Sequence, residues 1–447
     1  MATRPNGARG AAALVLLAVW EQGRRSDQAL DETVRQMKLD ARDRALCAQL
    51  VYGVLQNRLL LDYDLAPCLS RPLEKVDGKV RIALELGAYQ LLFLDKIPPS
   101  AAVNESVTLV KRWGMGSAAG FVNGVLRTLL RRRDRLPPLP GEEADFVAHW
   151  SLKTSHPNWL VERLCRQYGR EETRQILLSH AVQPPVTVRV NRLKTDRDAA
   201  MEEMRRLGLE VRAHPALPNC VQLPRLGELL TSLPFTGGKV TVQDAASVLC
   251  VDILDPKPGQ TVIDCCAAPG GKSCYIGEKM DNRGALWACD LHPNKVARID
   301  RAAARLGITV LHSAVRDAAV CWSPWLDGAE AVLCDAPCSG LGVIGKKPEI
   351  RYKDPAQIGR LPAIQQKILD NVCRYVKPGG TLVYSTCTIL QEENQQVVEQ
   401  FLARHGAFAL CPFDTPLTGP VPGGMVQLLP HRHGTDGFFV AKMRRKA

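Results

Sequence analysis

The chain has 447 residues, of which 46% are hydrophobic, and its 58 Lys and Arg outnumber its 46 Asp and Glu to give a formal net charge of +12. This length exceeds one ordinary hydrophobic core, so two or three domains are expected, and the basic balance suits a polyanionic partner such as nucleic acid. The sequence contains no run of eighteen or more apolar residues that could span a bilayer, so we expect a soluble cytoplasmic protein with no membrane contact.

The fifteen cysteines are scattered through apolar segments, and no C-x-x-C pair occurs among them. A chain of this length can bury a core without disulfides, so reduced thiols are expected. Cys334 and Cys338 lie four residues apart, and His431 and His433 follow far downstream without a matching cysteine pair. The sequence therefore predicts no metal site.

The first part of the chain, 1–138, is predicted to be an all-helical domain. Leu46, Leu50 and Val54 recur at helical spacing, and the apolar run 11–20 is interpreted as a buried first helix, not as a signal peptide. The domain is predicted to end in a basic helix that carries Arg127 and three further arginines at 131–133. These cations either complement the negative end of the helix dipole or contact phosphates, and both interpretations stay open.

Prolines at 137, 138 and 140 break the helical pattern and predict a linker. The region 145–236 is predicted to be a small α+β domain with helices over 157–168 and 171–179, followed by an alternating strand over 186–192. Four polar residues of that strand and its end are interpreted either as a solvated face or as RNA contacts: Arg189, Asn191, Arg192 and Lys194.

The remainder, 237–447, alternates short apolar strands with helical segments, which predicts an α/β domain built on a doubly wound parallel sheet. The predicted strands are 261–265, 285–290, 309–312, 331–335 and 381–385, with a late strand at 437–442.

A turn rich in small residues follows the first of these strands, and it includes Gly270 and Gly271, which let a backbone approach a ligand closely. The turn matches neither G-x-G-x-x-G nor the P-loop spacing, so it predicts a nucleotide or nucleoside site that is neither a dinucleotide site nor a P-loop. Asp290 and Asp317 end or follow the next two strands, where they could accept hydrogen bonds from ribose and adenine or could cap helices.

Two cysteines follow later strands, in the stretches 335–340 (DAPCSG) and 385–388 (STCT). A single buried cysteine is usually an inert small hydrophobe. A thiolate can instead attack an electrophilic ring carbon when positive charge or a helix dipole lowers its pKa. Cys338 and Cys387 are the candidates for such chemistry.

With the turn 264–272 (DCCAAPGGK), these stretches resemble the RNA cytosine-C5 methyltransferases of the RsmB/Sun family. The resemblance implies a class I (Rossmann-like) methyltransferase domain that uses S-adenosylmethionine and whose late strand is antiparallel. It further implies attack on the pyrimidine by Cys387, product release assisted by Cys338, and a contact of Asp335 with the ring edge. The cofactor-binding positions that it implies are Cys266, Ala267, Ala268, Pro269, Gly270, Gly271, Lys272, Asp290, Asp317 and Asp335.

The stretches 101–107 and 121–127 resemble the NusB-like RNA-binding domain that precedes some bacterial ribosomal RNA methyltransferases, so the helical domain is expected to target RNA. The whole arrangement is similar to the family that acts on cytosine 967 of 16S ribosomal RNA, and we expect this chain to act there as a monomer. The loop 342–351 resembles the family's basic loop through Lys346, Lys347 and Arg351, whereas Gly345 stands where the family usually has arginine. The competing hypotheses are an RNA-binding ribosome-assembly factor with a non-catalytic methyltransferase scaffold, and a DNA cytosine methyltransferase that attacks from Cys338.

Overall fold

The structure of the protein is a computed structural model that describes residues 6–182 and 184–447. The chain divides into two compact units. Unit one comprises Met1–Ala181 together with Lys346–Lys353, and unit two comprises Val182–Gly345 and Asp354–Ala447. The three domain boundaries expected from the sequence stay predictions.

Unit one is built from helices, as the periodicity of its sequence predicts. Its α-helices in chain order are α1 Gly7–Gln22, α2 Ser26–Gln36, α3 Ala41–Leu65, α4 Gly78–Phe93, α5 Pro99–Arg112, α6 Ala119–Arg132, α7 Phe146–Thr154 and α8 Asn158–Ser179. The apolar run 11–20 lies within α1 and supplies fully buried residues such as Val15 and Leu16, so the predicted buried first helix is confirmed. Among the described residues, no helix combines the length and apolar character that crossing a membrane requires.

Helix α8 is interrupted at Gly169, whose φ of 78° and ψ of 169° are not helical. An ordinary residue rarely adopts this positive φ, whereas glycine does so at little cost. The two helices predicted over 157–168 and 171–179 are therefore confirmed as two helical segments that meet at this glycine.

The segment Lys346–Lys353 packs in unit one as a short 3₁₀ helix over Pro348–Tyr352. Arg351 is only 2% exposed and donates from Nη1 to the carbonyl oxygen of Thr154 at 2.8 Å. Burial lowers the pKa of its guanidinium to about 10. The guanidinium of Arg351, which the sequence analysis assigned to a basic loop, is therefore buried against backbone carbonyl oxygens of the helical unit and is not exposed for contact with RNA.

Unit two begins with a four-stranded antiparallel sheet in the order β2-β3-β1-β4. Its strands are β1 Val186–Val190, β2 Arg212–Ala213, β3 Cys220–Leu223 and β4 Val240–Val242. Neither interpretation of Arg189 and Asn191 is correct, since both side chains are completely buried. Arg189 forms an ion pair with Glu278, and Asn191 donates to the carbonyl oxygens of Gly238 and Leu306 at 2.9 and 2.8 Å.

The larger sheet of unit two follows the doubly wound plan, with strand order β10-β14-β9-β8-β5-β6-β7 and β13 paired to β14. Strands β5 to β9 run parallel, whereas β14 is antiparallel to β9, which confirms the predicted α/β fold with an antiparallel late strand. The strands are β5 Thr261–Asp264, β6 Ala285–Asp290, β7 Leu311–Val315, β8 Ala329–Asp335, β9 Val376–Thr386, β10 Phe408–Leu410, β11 Phe413–Thr415, β12 Gly419–Val421, β13 Met425–Leu428 and β14 Phe438–Arg445. The helices of unit two are α9 Arg197–Arg206, α10 Leu233–Thr236, α11 Ala245–Leu254, α12 Gly271–Lys279, α13 Pro293–Leu306, α14 Pro355–Ile358, α15 Leu361–Val372, α16 Gln395–Arg404 and α17 Pro430–His433.

Two strand boundaries differ from the prediction for physical reasons. Strand β7 continues through the polar residue Ser313 because its backbone pairs with β6 as far as Asp290. Strand β9 begins at Val376, five residues before the predicted start at 381, and an irregularity in the register between Ala329 and Ala331 of β8 accommodates its Pro-Gly-Gly sequence.

Candidate active site

The carboxyl ends of the parallel strands form the edge that carries the candidate site. In the large sheet, β5 lies between β6 and β8, so the strand order reverses there, and ligands of such sheets bind at this crevice. Backbone hydrogen bonds to the two neighbouring strands hold the turn after β5 in place. Cys265 N donates to Leu333 O of β8 at 2.9 Å, and Ala267 N donates to Cys289 O of β6 at 2.7 Å.

Gly270 ends this turn immediately before α12, with a φ of 104°. A Cβ at this position would lie 3.1 Å from the Cα of Ile299, so close packing and backbone conformation both require glycine. The small residues predicted for cofactor binding therefore shape the start of α12.

A cavity of about 190 Å³ opens beside the turn. It is lined by Val242, Gln243, Asp244, Ser247, Asp264, Cys266, Ala267, Ala268, Pro269, Gly271, Lys272 and Asp335. The lining includes seven of the ten cofactor-binding positions expected from the sequence. The cavity combines small apolar groups with charged groups, as expected of a site that holds a polar organic ligand.

Asp264 lies at the base of this cavity and is completely buried. Ser273 donates from Oγ to Asp264 Oδ2 at 2.6 Å. Burial raises the pKa of the Asp264 carboxyl to about 7, with Ser273 acting in the opposite direction. The group therefore changes its charge near neutral pH, which makes the cavity sensitive to protonation.

Asp335 ends β8 and is held from two sides. Lys272 Nζ contacts Asp335 Oδ2 at 2.8 Å, and Ser385 donates from Oγ to Asp335 Oδ1 at 2.8 Å. Burial opposes the charge on Lys272, but the Asp335 carboxylate outweighs that effect and raises the pKa of the lysine. The predicted ring-edge residue is thus fixed in orientation at the rim of the cavity.

The two candidate cysteines meet because their strands are parallel neighbours. Asp335 of β8 pairs in register with Ser385 of β9, and both strands end at or just beyond that point. As a result, Cys338 Sγ and Cys387 Sγ lie 3.3 Å apart, although 49 residues separate them in sequence. This distance is a thiol hydrogen bond and far exceeds a disulfide bond of about 2.05 Å.

The environment keeps Cys338 in its thiol form. The hydrogen bond to Cys387 and burial together raise the pKa of Cys338 well above the usual value for a thiol. Either sulfur atom can be the donor in their contact.

Glu393, which the sequence analysis did not single out, connects the two cysteine-bearing loops. It is 1% exposed and accepts hydrogen bonds from Ser339 N at 2.8 Å, Thr388 Oγ1 at 3.2 Å and Gln365 Nε2 at 3.0 Å. Ser339 and Thr388 are the residues that follow the two cysteines. The only sequence signal was an acidic pair in the polar run 391–395, which ordinarily indicates a solvated helix start.

Asp290 and Asp317 lie at the same edge of the sheet, but neither lines the cavity. Asp290 accepts a hydrogen bond from His292 N at 3.1 Å, and Asp317 accepts one from Ala319 N at 2.9 Å. Both contacts are local side-chain turns. Neither aspartate caps a helix, because the N-cap position of α13 is His292 and Asp317 is followed by a turn. Their roles toward a nucleoside stay predictions.

Within residues 6–182 and 184–447, no group of three or more His, Cys, Asp or Glu side chains could hold a metal ion.

Family models match three successive parts of the chain. The NusB family matches residues 6–131, a ferredoxin-like domain of RsmF/B-like methyltransferases matches 156–228, and the family described as 16S rRNA methyltransferase RsmB/F matches 251–444.

Similar proteins extend over nearly the whole chain. The probable ribosomal RNA small subunit methyltransferase B of Bacillus subtilis is 40% identical over 94% of this chain and 95% of its own length. The ribosomal RNA small subunit methyltransferase B of Salmonella arizonae is 34% identical over 99% of this chain and all of its own length. Among solved structures, PH0851 superposes with a TM-score of 0.86 and 28% identity over 98% of this chain and 99% of that chain. A methyltransferase homolog from Pyrococcus horikoshii has a TM-score of 0.59 and 26% identity over 67% of this chain and 99% of that chain.

The doubly wound sheet, the glycine turn and the paired cysteines, preceded by NusB-type helices and a ferredoxin-like part, define an RNA methyltransferase. More particularly, the chain belongs to the RsmB/F family of 16S ribosomal RNA methyltransferases.

Proposed function

We propose that the protein transfers a methyl group from S-adenosylmethionine to C5 of a cytosine in 16S ribosomal RNA, at cytosine 967, through a transient bond between Cys387 and C6. The observation that carries this proposal is the pair of sulfur atoms 3.3 Å apart, on the loops that follow the hydrogen-bonded residues Asp335 and Ser385, of which Asp335 lines the cavity. The methyl donor supplies an electrophilic carbon when bound, and the cavity with its glycine turn fits the donor as a concave, partly charged site.

The protein's own groups account for each step on the RNA. The thiolate of Cys387 adds to C6 of the ring, which makes C5 nucleophilic enough to take the methyl group. Addition of the thiolate places negative charge on the ring, which a proton taken up from solvent water at N3 neutralises. Asp335, held by Lys272 and Ser385, accepts a hydrogen bond from the resulting N3–H and amino edge and so favours that protonated form.

Release of the product requires loss of the hydrogen on C5. Cys338 first releases its own proton to solvent water, and its raised pKa then makes its sulfur a strong proton acceptor. Transfer of the C5 proton to Cys338 then restores the C5–C6 double bond and expels Cys387 as a thiolate. The ring regains its aromaticity, and the methylated cytosine leaves.

The domain arrangement supports the choice of substrate. A NusB-type domain and a ferredoxin-like part precede the methyltransferase domain, and the relatives are named as small-subunit ribosomal RNA methyltransferases. A cytosine whose ring face must reach a thiolate has to be single-stranded or turned out of its helix.

The test is incubation of the wild-type protein, Cys387→Ala and Cys338→Ala with unmodified 16S ribosomal RNA and S-adenosylmethionine labelled in its methyl group. Cys387→Ala is expected to lose methylation because no nucleophile remains, whereas Cys338→Ala is expected to accumulate a protein–RNA adduct that survives denaturing electrophoresis. Bisulfite sequencing of the wild-type product locates the modified cytosine.

Cys411→Ala is the control, because this half-buried cysteine lies outside the site, and it is expected to methylate normally. Unchanged methylation by Cys387→Ala would contradict the proposal. An adduct formed by Cys387→Ala but not by Cys338→Ala would show attack from Cys338. RNA binding without methylation by any of the proteins would favour the assembly-factor hypothesis.

A further inference from the structure

The residues on either side of Cys387 are both hydrogen-bonded to one buried side chain, that of Asn394. Thr386 donates from Oγ1 to Asn394 Oδ1 at 2.5 Å, and Asn394 donates from Nδ2 to the carbonyl oxygen of Thr388 at 3.0 Å. Asn394 is completely buried and immediately precedes α16. A single amide thus bridges the chain just before and just after the candidate nucleophile.

The orientation of the Asn394 amide is determined by its partners. The carbonyl oxygen of Thr388 can only accept, so the NH₂ end must face it and the amide oxygen must face the hydroxyl of Thr386. Gln427 of β13 accepts the second N–H of that NH₂ group at Oε1, 2.7 Å away. The Nε2 of Gln427 is itself engaged by the carbonyl oxygens of Thr388 and Phe438 at 3.3 and 3.1 Å, so its oxygen is the end that faces Asn394.

The backbone of Cys387 is held from the other cysteine-bearing loop as well. The carbonyl oxygen of Cys387 accepts a hydrogen bond from Gly342 N at 3.0 Å, and the carbonyl oxygen of Gly342 accepts one from Gly437 N at 2.8 Å. A Cβ on Gly342 would lie 1.8 Å from the carbonyl oxygen of Gly437, so the two backbones are in direct contact. Three successive residues, 386–388, therefore each have a hydrogen bond that restricts the backbone or its immediate flank.

The position of the Cys387 sulfur follows from these contacts. One torsion, about the Cα–Cβ bond, places the sulfur of a cysteine, and it takes one of three staggered values. Once the backbone is held, Sγ can occupy only a few sites, and the site it occupies lies 3.3 Å from Cys338 Sγ. Attack on a ring carbon needs reacting atoms about 3–3.5 Å apart, so a shift of the backbone is expected to slow it.

We propose that Asn394 is the positioning residue for Cys387, because its amide holds the chain on both sides of this cysteine and so keeps the sulfur beside Cys338 and ready for attack. The inference rests on the proposed function, in which Cys387 is the nucleophile. Asn394 acts through the backbone and hydroxyl of its neighbours, not on the reacting atoms.

Single-turnover methyl transfer to 16S ribosomal RNA is the first measurement. Asn394→Ala should be slower than the wild type by about 100-fold, the loss expected from a displacement of about 1 Å. Its affinity for S-adenosylhomocysteine should stay within twofold of the wild type. Thr386→Val keeps the shape of the side chain but removes the hydroxyl donor, and it should be slower by about tenfold. Thr386→Ser restores the hydroxyl and should return the rate to within about threefold of the wild type.

Asn191→Ala is the matched control. Asn191 is also completely buried in unit two and also forms three hydrogen bonds, donating to the carbonyl oxygens of Gly238 and Leu306 and accepting from Leu193 N at 3.1 Å. Asn394→Ala and Asn191→Ala should therefore lower the melting temperature by similar amounts. Only Asn394→Ala should slow methyl transfer, and an equal slowing by both variants would overturn the positioning role.

Adduct formation isolates the attack itself. In the Cys338→Ala protein, where the adduct is expected to accumulate, adding Asn394→Ala should slow appearance of the protein–RNA adduct by the same factor of about 100. An adduct that appears at the rate of the Cys338→Ala protein would overturn the inference, because attack by Cys387 would then not depend on Asn394.

A chemical probe of the sulfur pair needs neither RNA nor methyl donor. Phenylarsine oxide condenses with two neighbouring thiols, so that each sulfur bonds to arsenic and the oxygen leaves as water with the two thiol protons. Intact-mass spectrometry follows its capture, and the part that disappears in Cys387→Ala is the part due to the Cys338–Cys387 pair.

Capture by this pair should be about tenfold or more slower in Asn394→Ala than in the wild type, since closure on the second sulfur depends on its proximity to the first. Asn191→Ala should capture the reagent as the wild type does. Unchanged capture in Asn394→Ala would overturn the inference. A wild-type protein that captures the reagent through the pair but methylates no RNA would instead overturn the proposed function, so the two failures are distinguishable.

Discussion

Glu393 accepts hydrogen bonds from both of the loops that carry Cys338 and Cys387. Its carboxylate receives a hydrogen bond from the residue after each cysteine, Ser339 and Thr388, and a third from Gln365 of α15. Tyr384 of β9 donates to its carbonyl oxygen at 2.7 Å, which fixes the backbone as well. Both loops are therefore hydrogen-bonded to the same buried carboxylate. The geometry of the sulfur pair is thus expected to depend on the charge and shape of the Glu393 side chain.

Glu393→Gln should lower the rate of single-turnover methyl transfer about 10- to 100-fold, because an amide cannot accept all three hydrogen bonds and the loops shift relative to each other. Its affinity for S-adenosylhomocysteine should stay within twofold of the wild type, and the pH profile of Cys387 alkylation by iodoacetamide should move. Glu399→Gln, an exposed change on α16, is the control. A parallel loss of cofactor affinity, or an unmoved alkylation profile, would contradict a positioning role.

The roles of single residues could be predicted from the sequence only where those residues belong to a short motif. Cys338, Cys387 and the turn 266–272 stand in compact motifs. The structure brings most of the turn to one cavity and the two sulfur atoms to within 3.3 Å of each other. Glu393 and Asn394 gain their roles from distant partners, Ser339 and Gln427 among them. No local pattern distinguishes such residues from an ordinary polar side chain near a helix start.

At the scale of elements, the buried ion pair of Arg189 and Glu278 joins β1 of the small sheet to α12 of the large one. Burial raises the pKa of Glu278, while Arg189 opposes that rise. The aromatic ring of Tyr275, one turn earlier on α12, lies 4.5 Å from the Arg189 guanidinium. Helix α12 is thus anchored to the neighbouring sheet by a buried charge that needs its partner.

Glu278→Leu should lower the melting temperature of unit two by about 6–20 °C, since it leaves the Arg189 guanidinium buried without its partner. The measurement is differential scanning calorimetry of the full-length protein. Glu202→Leu removes the exposed i,i+4 partner of Arg206 on α9 and should change the melting temperature by only a degree or two. Similar shifts for the two variants would show that burial does not determine the contribution of the pair.

The types of element were more predictable than their ends. Helical spacing identified the all-helical front, and alternation of strands with helices identified the doubly wound sheet, because each pattern reports which face is buried. Strand ends depend on the neighbouring strand, as β7 and β9 show. The burial of Arg189 was also unpredictable, since its partner lies 89 residues away.

At the scale of the whole molecule, the formal charge of +12 is unevenly distributed, and a basic cluster closes the helical front. Arg127, Arg131 and Arg132 are exposed at the end of α6. Arg132 donates to Pro67 O at 2.9 Å, whereas Arg127 and Arg131, among the described residues, form hydrogen bonds only with side chains of their own helix. Removal of the Arg127 and Arg131 guanidinium groups should therefore disturb the fold less than removal of that of Arg132. These two residues are the better choice for a test of phosphate contact.

The double variant Arg127→Gln/Arg131→Gln should bind 16S ribosomal RNA more weakly, and the slope of log affinity against log salt should be shallower by about 1.4, or 0.7 for each lost phosphate contact on single strands. Filter binding between 50 and 300 mM salt measures both quantities. Arg42→Gln/Arg44→Gln makes the same charge change at exposed positions of α3. Equal effects of the two double variants would indicate a non-specific charge effect, and an unchanged slope would leave the helix dipole as the explanation.

The burial of Arg351 within unit one has a consequence for synthesis of the chain. Thr154 and Gln56 belong to the first part of the chain that the ribosome makes. The guanidinium that donates hydrogen bonds to their carbonyl oxygens belongs to Arg351 and is synthesised much later. At about 5–20 residues per second, the nascent helices would wait roughly 10–35 s between the emergence of residue 181 and that of residue 353. Maturation of the helical front is thereby tied to translation of most of the enzyme, and a ribosome that stalls midway would release helices still missing a part of their interior.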